Sequence, residues 1–509
     1  MSRSNTRVVL IYPPNQLMAV EIPRPDGSLG PLYLAGALRA AGIEVEILDA
    51  SVGTPEDDLK ETFHHRVLQP NGLTRIGMTP ERIREYLTRG QFDIIGISSN
   101  FTPQTRMALE VARIAKEVNP NAFVIAGGVN GRAMADRFMT TGFVDIIALS
   151  EAERTIVEIV RTWQQGRSFN EIDGVVFSHD GKTVVRPTRS TTYHTNLDQL
   201  PFPAWDLLPF EKYDGVNSPH GSITPGTQRR YAPLMTSRGC PFRCAYCHVS
   251  EERRDDSMAG NLGSLRLKSI ERVMKEFEIL QNLGVTHIYF EDDSLLAKKA
   301  RVTEIFRRLT GLGLKISNVN GVNLVHLSKP GSDGQLHPDQ EYLETIASAG
   351  FNEIVFPVES GSQRILDKYA TGKLRHDRLD VLELVNVAAK AGITCPVNMM
   401  LGFPDETEGE MSQSIELAKR LVSAGAPYIT FFIPIPFPGS QLFRYALDHG
   451  HLQPDFDPDQ MNWKNAVMVN TTVPPERIVQ LRDEAWDQVN TVAYKEGRIA
   501  REIRTRVAE

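Results

Sequence analysis

The chain has 509 residues, 41% hydrophobic and 23% charged, with a formal net charge of -7 and a pI near 6.0. This length suits two or three domains, and the acidic balance excludes a nucleic-acid binder that works by bulk positive charge. No apolar run is long enough to span a bilayer, and Met1-Ser2-Arg3-Ser4-Asn5 lacks the apolar core of a signal peptide.

Residues 1–165 alternate short apolar runs with helical patterns. Strands are expected at Val8–Tyr12, Val45–Leu48, Ile94–Ser98, Phe123–Ala126 and Ile146–Leu149, with amphipathic helices over Leu32–Ala41, Thr102–Val118, Arg132–Thr140 and Glu153–Trp163. β-rich runs alternating with helices imply a doubly wound parallel sheet covered on both faces. Ligands of such α/β sheets bind beyond the carboxyl ends of the strands, at a topological switch point. Those ends carry Pro13-Pro14-Asn15, Ser98 to Thr102, Gly127-Gly128 and Ser150-Glu151-Ala152-Glu153. Ser98, Thr102, Gly127, Gly128 and Glu151 are the candidate ligand-binding residues, and the small ones among them let a large flat ligand approach the backbone. The segment from Val52 to Gly90 is an insertion of mixed polar and helical character with no assigned role.

Residues 166–230 read as a linker. Asp180-Gly181 favours a tight turn between Val175-Val176-Phe177 and Thr183-Val184-Val185, which predicts a hairpin. Leu200-Pro201-Phe202-Pro203 is a semi-rigid connector. The aromatic residues Phe202, Trp205, Phe210 and Tyr213 around it suit either a cofactor wall or domain packing, the second being the commoner use.

Three of the four cysteines follow in Cys240-Pro241-Phe242-Arg243-Cys244-Ala245-Tyr246-Cys247. One short loop can wrap three thiolates around an inorganic cluster, whereas pairing them as disulfides leaves one over. Thiolates hold iron–sulfur clusters, normally four per cubane, so three leave one iron open to a small molecule. A zinc site using His248 is the alternative, but adjacent residues rarely both point at one metal and no second Cys pair completes it. Cys395, in an apolar run, reads as core packing.

The loop resembles the motif of radical S-adenosylmethionine (SAM) enzymes, including the aromatic Tyr246 before the third cysteine. The N-terminal order of segments resembles the cobalamin-binding domain that precedes the radical SAM domain in one large subgroup. Two departures stand out: no Asp-x-His-x-x-Gly follows the first strand, and Ser150-Glu151-Ala152-Glu153 replaces the usual Gly-Glu-x-Glu. Cobalamin would then sit without a histidine below the cobalt. A flavodoxin-like domain that has lost its cofactor is the alternative.

Residues 231–445 alternate strand and helix again, with strands expected at 234–236, 287–290, 315–319, 354–358, 394–401 and 428–432. Six such units suit a partial (β/α)6 barrel with chemistry at its carboxyl-terminal rim. The resemblance places Asp292 and Asp293 near the SAM methionine moiety, and Glu359, Ser360 and Ser362 near its ribose and carboxylate. The competing reading for each acidic residue is a helix cap or first-turn charge. Residues 433–440 resemble the loop closing the family's barrel. Residues 446–509 are expected to form a helical cap, with Ile478, Leu481, Ala485, Val489 and Val492 on the buried face of a long helix. Arg498, Arg501, Arg504 and Arg506 would form its solvated end.

The resemblance implies a [4Fe-4S] cluster on Cys240, Cys244 and Cys247, bound SAM, and cobalamin. It implies reductive cleavage of SAM to a 5′-deoxyadenosyl radical and methylation of an unactivated carbon, or of a phosphinate phosphorus, by way of cobalamin. A radical cyclisation, rearrangement or oxidation without methyl transfer is the alternative, and a non-catalytic SAM or cobalamin sensor a third reading. Methylthiolation is disfavoured, since there is no second cysteine triad. The implied partners are a small-molecule or peptide substrate and an electron donor such as flavodoxin or ferredoxin, with no nucleic acid. An oxygen-labile cluster and the lack of a disulfide framework suggest a reducing cytoplasm.

Overall fold

The computed structural model describes residues 6–18, 21, 29–216, 230–254, 257–318 and 320–498. Val319, Arg501, Arg504 and Arg506 lie outside them. The chain divides into two compact units. One comprises residues 1–231 with Glu252–Leu262 and Glu509, and the other Ala232–Glu251 with Gly263–Ala508.

The first unit is built on strands β1 (Val8–Tyr12), β2 (Val45–Asp49), β3 (Ile94–Ser98), β4 (Phe123–Gly127), β5 (Ile146–Ala148), β6 (Val175–His179) and β7 (Lys182–Arg186). Their order in the sheet is β7-β6-β5-β4-β3-β1-β2. β1 to β5 pair in parallel, in the 2-1-3-4-5 order of flavodoxin-like folds, whose switch point lies between β1 and β3. Helices Leu29–Ala40, Pro80–Gly90, Thr105–Val118 and Glu153–Gln164 accompany the sheet. The side chain of Thr79 caps the second of these by accepting from Arg82 N, with Pro80 in its first turn, a favoured helix start. The expected hairpin is present, but β6 pairs antiparallel with β5, so the hairpin part of the expected linker belongs to this sheet. Of the four linker aromatics, Trp205, Phe210 and Tyr213 are buried, and the Tyr213 hydroxyl donates to Asp49 Oδ2. They pack the connector against its own unit.

The 52–90 insertion gains a structure that the sequence did not disclose. Its strands Val67–Leu68 and Thr74–Ile76 form a small sheet with Asn15–Leu17, directly after Pro13-Pro14 at the carboxyl end of β1. Gln16 ties this sheet to the loop after β3: its backbone N donates to Gln104 Oε1 at 2.7 Å, and Gln104 Nε2 returns a bond to Gln16 O at 2.8 Å.

The second unit holds β8 (Tyr231–Leu234), β9 (His287–Phe290), β10 (Lys315–Asn318), β11 (Phe351–Glu353), β12 (Phe356–Glu359), β13 (Val397–Met400) and β14 (Ile429–Phe432). They form a four-stranded and a three-stranded sheet. β11 and β12 are one strand broken at its middle, and the break is stitched by Ile354 N donating to Thr394 O at 2.9 Å and Phe356 N to Pro396 O at 2.8 Å. The six positions make the expected partial barrel. Several of its helices begin on side-chain caps, among them Ser269, Asp380 and a capping box of Thr407 with Glu410.

The C-terminal region does two jobs. Residues 433–468 contribute Ile435, Leu442, Ala446, Leu452, Met461 and Met468 to one apolar cluster with Ala245, Met400 and Phe403. The helix Pro475–Val489 instead lies along β14: Asn490 Nδ2 donates to Ile429 O at 2.9 Å, and Ile429 N donates to Asn490 Oδ1 at 2.8 Å. Ile478, Leu481, Ala485 and Val489 are buried as expected, but Val492 is exposed because the helix has already ended at Val489. Arg498 likewise is not at that helix end; its guanidinium lies 5.6 Å from the centre of the Trp486 ring. Among the described residues no helix is long and apolar enough to cross a membrane.

Candidate active site: a thiolate loop and a switch-point cleft

In the second unit the cysteine loop is held from behind before any ligand is considered. Asp292, at the carboxyl end of β9, is fully buried. Its carboxylate accepts from Thr236 N at 2.9 Å, Thr236 Oγ1 at 2.8 Å and the Ser237 hydroxyl. Asp293 Oδ2 accepts from Gly239 N at 3.0 Å. Gly239 has φ +82°, and a Cβ there would stand 2.6 Å from Gly263 O and closer still to Ser264 O. Only glycine makes that approach without strain. Cys240 N then donates to Gly263 O at 3.0 Å.

Cys240, Cys244 and Cys247 are all free thiols, and burial pushes each one above the ordinary thiol range. A reactive nucleophilic cysteine has the opposite shift. Thiolates here need a cationic centre to charge them, which is what an iron–sulfur cluster supplies. Among the described residues no three His, Cys, Asp or Glu side chains gather around one metal-ion position; a cubane asks for a different arrangement, with one iron per thiolate. The donor set therefore fits the cluster.

The other expected residues sort into two groups. The Tyr246 hydroxyl donates to Glu359 Oε1 at 3.0 Å, and the Lys373 ammonium pairs with the same oxygen. Ser360 and Ser362 have partners within the chain. Both are buried: Ser360 Oγ lies 3.2 Å from Ser414 Oγ, while Ser362 caps the helix Gln363–Tyr369 and donates to Glu410 Oε1 at 2.9 Å. Asp292 likewise has Thr236 and Ser237 as partners. These bonds fix the loops at the rim. Lys373, Thr236 and Ser237 went unmarked in the sequence. Hydroxyls just ahead of the cysteines were the available signal for the last two; nothing marked Lys373.

In the first unit the candidate residues meet at the ends of β3 and β4. Ser98 pairs with Gly127, and Ser99 N donates to Gly127 O at 2.8 Å. Gly128 has φ +94°, and a Cβ there would stand 2.5 Å from Ser99 O. At Gly127 the nearest atom to such a Cβ is Ala148 Cβ at 3.9 Å, so the space beside it is open to a ligand. Asn130 is buried; its Nδ2 donates to Ser99 Oγ at 2.9 Å and Thr105 Oγ1 at 3.0 Å, while its Oδ1 has no partner. A buried unmatched acceptor is costly, and a hydroxyl or amide of a bound ligand would satisfy it. The cradle fits cobalamin. Thr102 is buried at the start of a 3-10 turn, and Glu151 is half-buried in the turn before the helix Glu153–Gln164. Arg132, five residues beyond Gly127, pairs with Glu252, inside the same unit.

Fold and site together define a two-cofactor enzyme: a flavodoxin-like domain with an open switch point, and a partial barrel carrying a three-thiolate loop. Residues 27–160 match the B12 binding domain and residues 234–418 the radical SAM superfamily. The chain belongs to the radical SAM enzymes that carry an N-terminal cobalamin-binding domain, with a [4Fe-4S] cluster, SAM and cobalamin as cofactors. An uncharacterised methyltransferase of Pyrococcus horikoshii is 28% identical over 96% of this chain and 91% of its own length. The cytidylyl-2-hydroxyethylphosphonate methyltransferase of Streptomyces wedmorensis is 25% identical over 92% of this chain and 86% of its own. An anaerobic magnesium-protoporphyrin IX monomethyl ester cyclase of Rubrivivax gelatinosus is 24% identical over 91% and 73%. Among solved structures, the radical SAM methyltransferase TsrM of Kitasatospora setae, with cobalamin and [4Fe-4S] cluster bound, has a TM-score of 0.63 at 16% identity, covering 88% of this chain and 78% of its own. That likeness is one of fold.

Proposed function

We propose that this enzyme transfers a methyl group to an unactivated carbon, or to a phosphinate phosphorus, of a small-molecule biosynthetic intermediate. The observation that carries the reading is the pairing, in one chain, of a thiolate loop and a cobalamin cradle with near-full-length similarity to two methyltransferases. When bound, the cluster supplies an electron for SAM cleavage and cobalamin supplies a methyl carrier. The chain's own residues hold and orient. Cys240, Cys244 and Cys247 bind three irons, and the Asp292 and Asp293 carboxylates fix the loop that presents them. Tyr246 is locked by Glu359, with its ring centre 6.1 Å from that of Phe403. Phe403, Met400 and Ile435 belong to the apolar cluster beneath the loop, which limits water around the thiolates. Gly127 leaves the backbone at the end of β4 open to a broad ligand, and Asn130 offers it an acceptor.

The cyclase relative favours a second reading, a radical ring closure without methyl transfer. One experiment separates them. The anaerobically reconstituted chain is loaded with cobalamin and incubated with a small-molecule extract, a chemical reductant and SAM bearing a deuterated methyl group. A metabolite that gains the labelled methyl supports methyl transfer. An unlabelled product, isomeric with its substrate or lighter only by hydrogen, accompanied by 5′-deoxyadenosine, supports cyclisation or rearrangement instead. Failure of the cluster-loaded chain to cleave SAM would overturn both and leave the sensor reading.

A further inference from the structure

Two features of the second unit converge on Lys373, a residue that no motif marks. The first is register. The short strand Arg243–Cys244 pairs antiparallel with Ala370–Thr371, with Cys244 opposite Ala370, and Ala245 N donates to Tyr369 O at 2.8 Å. The chain then turns at Gly372, φ +73°, with Lys373 N donating back to Ala370 O at 3.0 Å. Backbone pairing thus carries Lys373 to the cysteine loop.

The second is Glu359. It holds φ at +69°, a left-handed conformation that strains a non-glycine residue. Its buried Oε1 receives both the Lys373 ammonium and the Tyr246 hydroxyl. Burial works against the Lys373 charge, and the Glu359 carboxylate offsets it. A buried ion pair is a weak source of stability compared with apolar packing, so a cation kept here at that cost has another use.

We propose that Lys373 is a positioning residue for the iron–sulfur cluster: fixed by Glu359 and by the Cys244 register, it sets the field at the three thiolates and eases reduction of the bound cluster. Three thiolates place three negative charges in a poorly solvated loop, and each added electron raises that burden. A fixed ammonium offsets it; the Glu359 carboxylate acts in the opposite sense. Net charge and hydrogen bonding around the sulfurs are recognised determinants of cluster potential. The inference rests on the cluster, not on methyl transfer.

The test is an EPR-monitored redox titration of the full, anaerobically reconstituted chain with dithionite, without SAM or cobalamin, alongside iron and sulfide analysis. In Lys373→Met the equilibrium constant for one-electron reduction should fall about tenfold, a potential ~59 mV more negative, at full iron content. Glu359→Gln should move the potential the other way, and Lys373→Arg should stay near wild type. Lys373→Met at the wild-type potential with full iron overturns the proposal. So do shifts of Lys373→Met and Glu359→Gln in the same direction, as a merely loosened loop would give. Should Lys373→Met fail to hold iron, Glu359→Gln decides: a more positive potential supports the role, and an unchanged or more negative one overturns it. A wild-type chain that assembles no cluster overturns both this inference and the cluster assignment, whereas a normal cluster without methyl transfer leaves the Lys373 result standing.

Discussion

Glu406 sits fully buried just past β13, where its Oε2 accepts from Gly402 N at 2.7 Å and Phe403 N at 3.1 Å while its Oε1 has no partner. Burial raises its pKa from 4.5 to about 7, helped by Glu410 and opposed by the two backbone donors and Arg364. The sign follows directly. Between those two values the folded chain keeps a proton that the unfolded chain has released, so this group's contribution to stability falls as pH rises. Glu406→Gln keeps an acceptor for both backbone donors and cannot titrate. Its stability relative to wild type should therefore grow by about 3 kcal/mol between pH 4.5 and about 7, and level off above. Denaturant unfolding of the pair across that range checks it, and a constant gap would show that Glu406 does not titrate there. The same scale shows what a motif leaves open. Asp292, Ser360 and Ser362 stand in the expected loops, and their oxygens bond to Thr236, Ser414 and Glu410. A motif fixes which loop a side chain occupies, and the tertiary structure supplies its partners.

At the scale of elements, β14 is an edge strand, and an edge leaves backbone groups to be satisfied. Asn490 supplies one donor and one acceptor to Ile429, and Ile478 fills the space beside Gly402 at the other end, where even a Cβ would stand 2.5 Å from Ile478 Cγ2. Asn490→Ala should cost about 2 kcal/mol by leaving both Ile429 groups unpaired and raise the tendency to aggregate. Thermal unfolding with light scattering measures both, and wild-type values would show that the edge is protected by other means. The strands of both sheets were legible because apolar runs alternate with amphipathic helices. β1, β3 and β9 fall at their expected limits, whereas β8 shifts by a few residues. Three features were not legible. The break between β11 and β12, the small sheet made by the 52–90 insertion, and the antiparallel edge added by β6 and β7 all depend on partners distant in sequence.

For the whole molecule, the two cofactor sites are built in separate compact units, each from its own hydrogen bonds. Replacing Cys240, Cys244 and Cys247 together by Ser should therefore remove the iron while leaving the cobalt-to-protein ratio at its wild-type value after desalting. Loss of cobalt along with iron would mean that cobalamin binding depends on the thiolate loop. The sequence by itself determined the class of chemistry. Three cysteines at that spacing, and glycines where strands end, are local requirements of thiolate ligation and of close backbone approach, so they survive in linear order. The tertiary structure alone decided which polar groups are free to act. It placed Lys373 beside Cys244 through strand register, turned Asp292 inward, and left Asn130 Oδ1 unmatched, because pairing and burial join residues far apart in the chain.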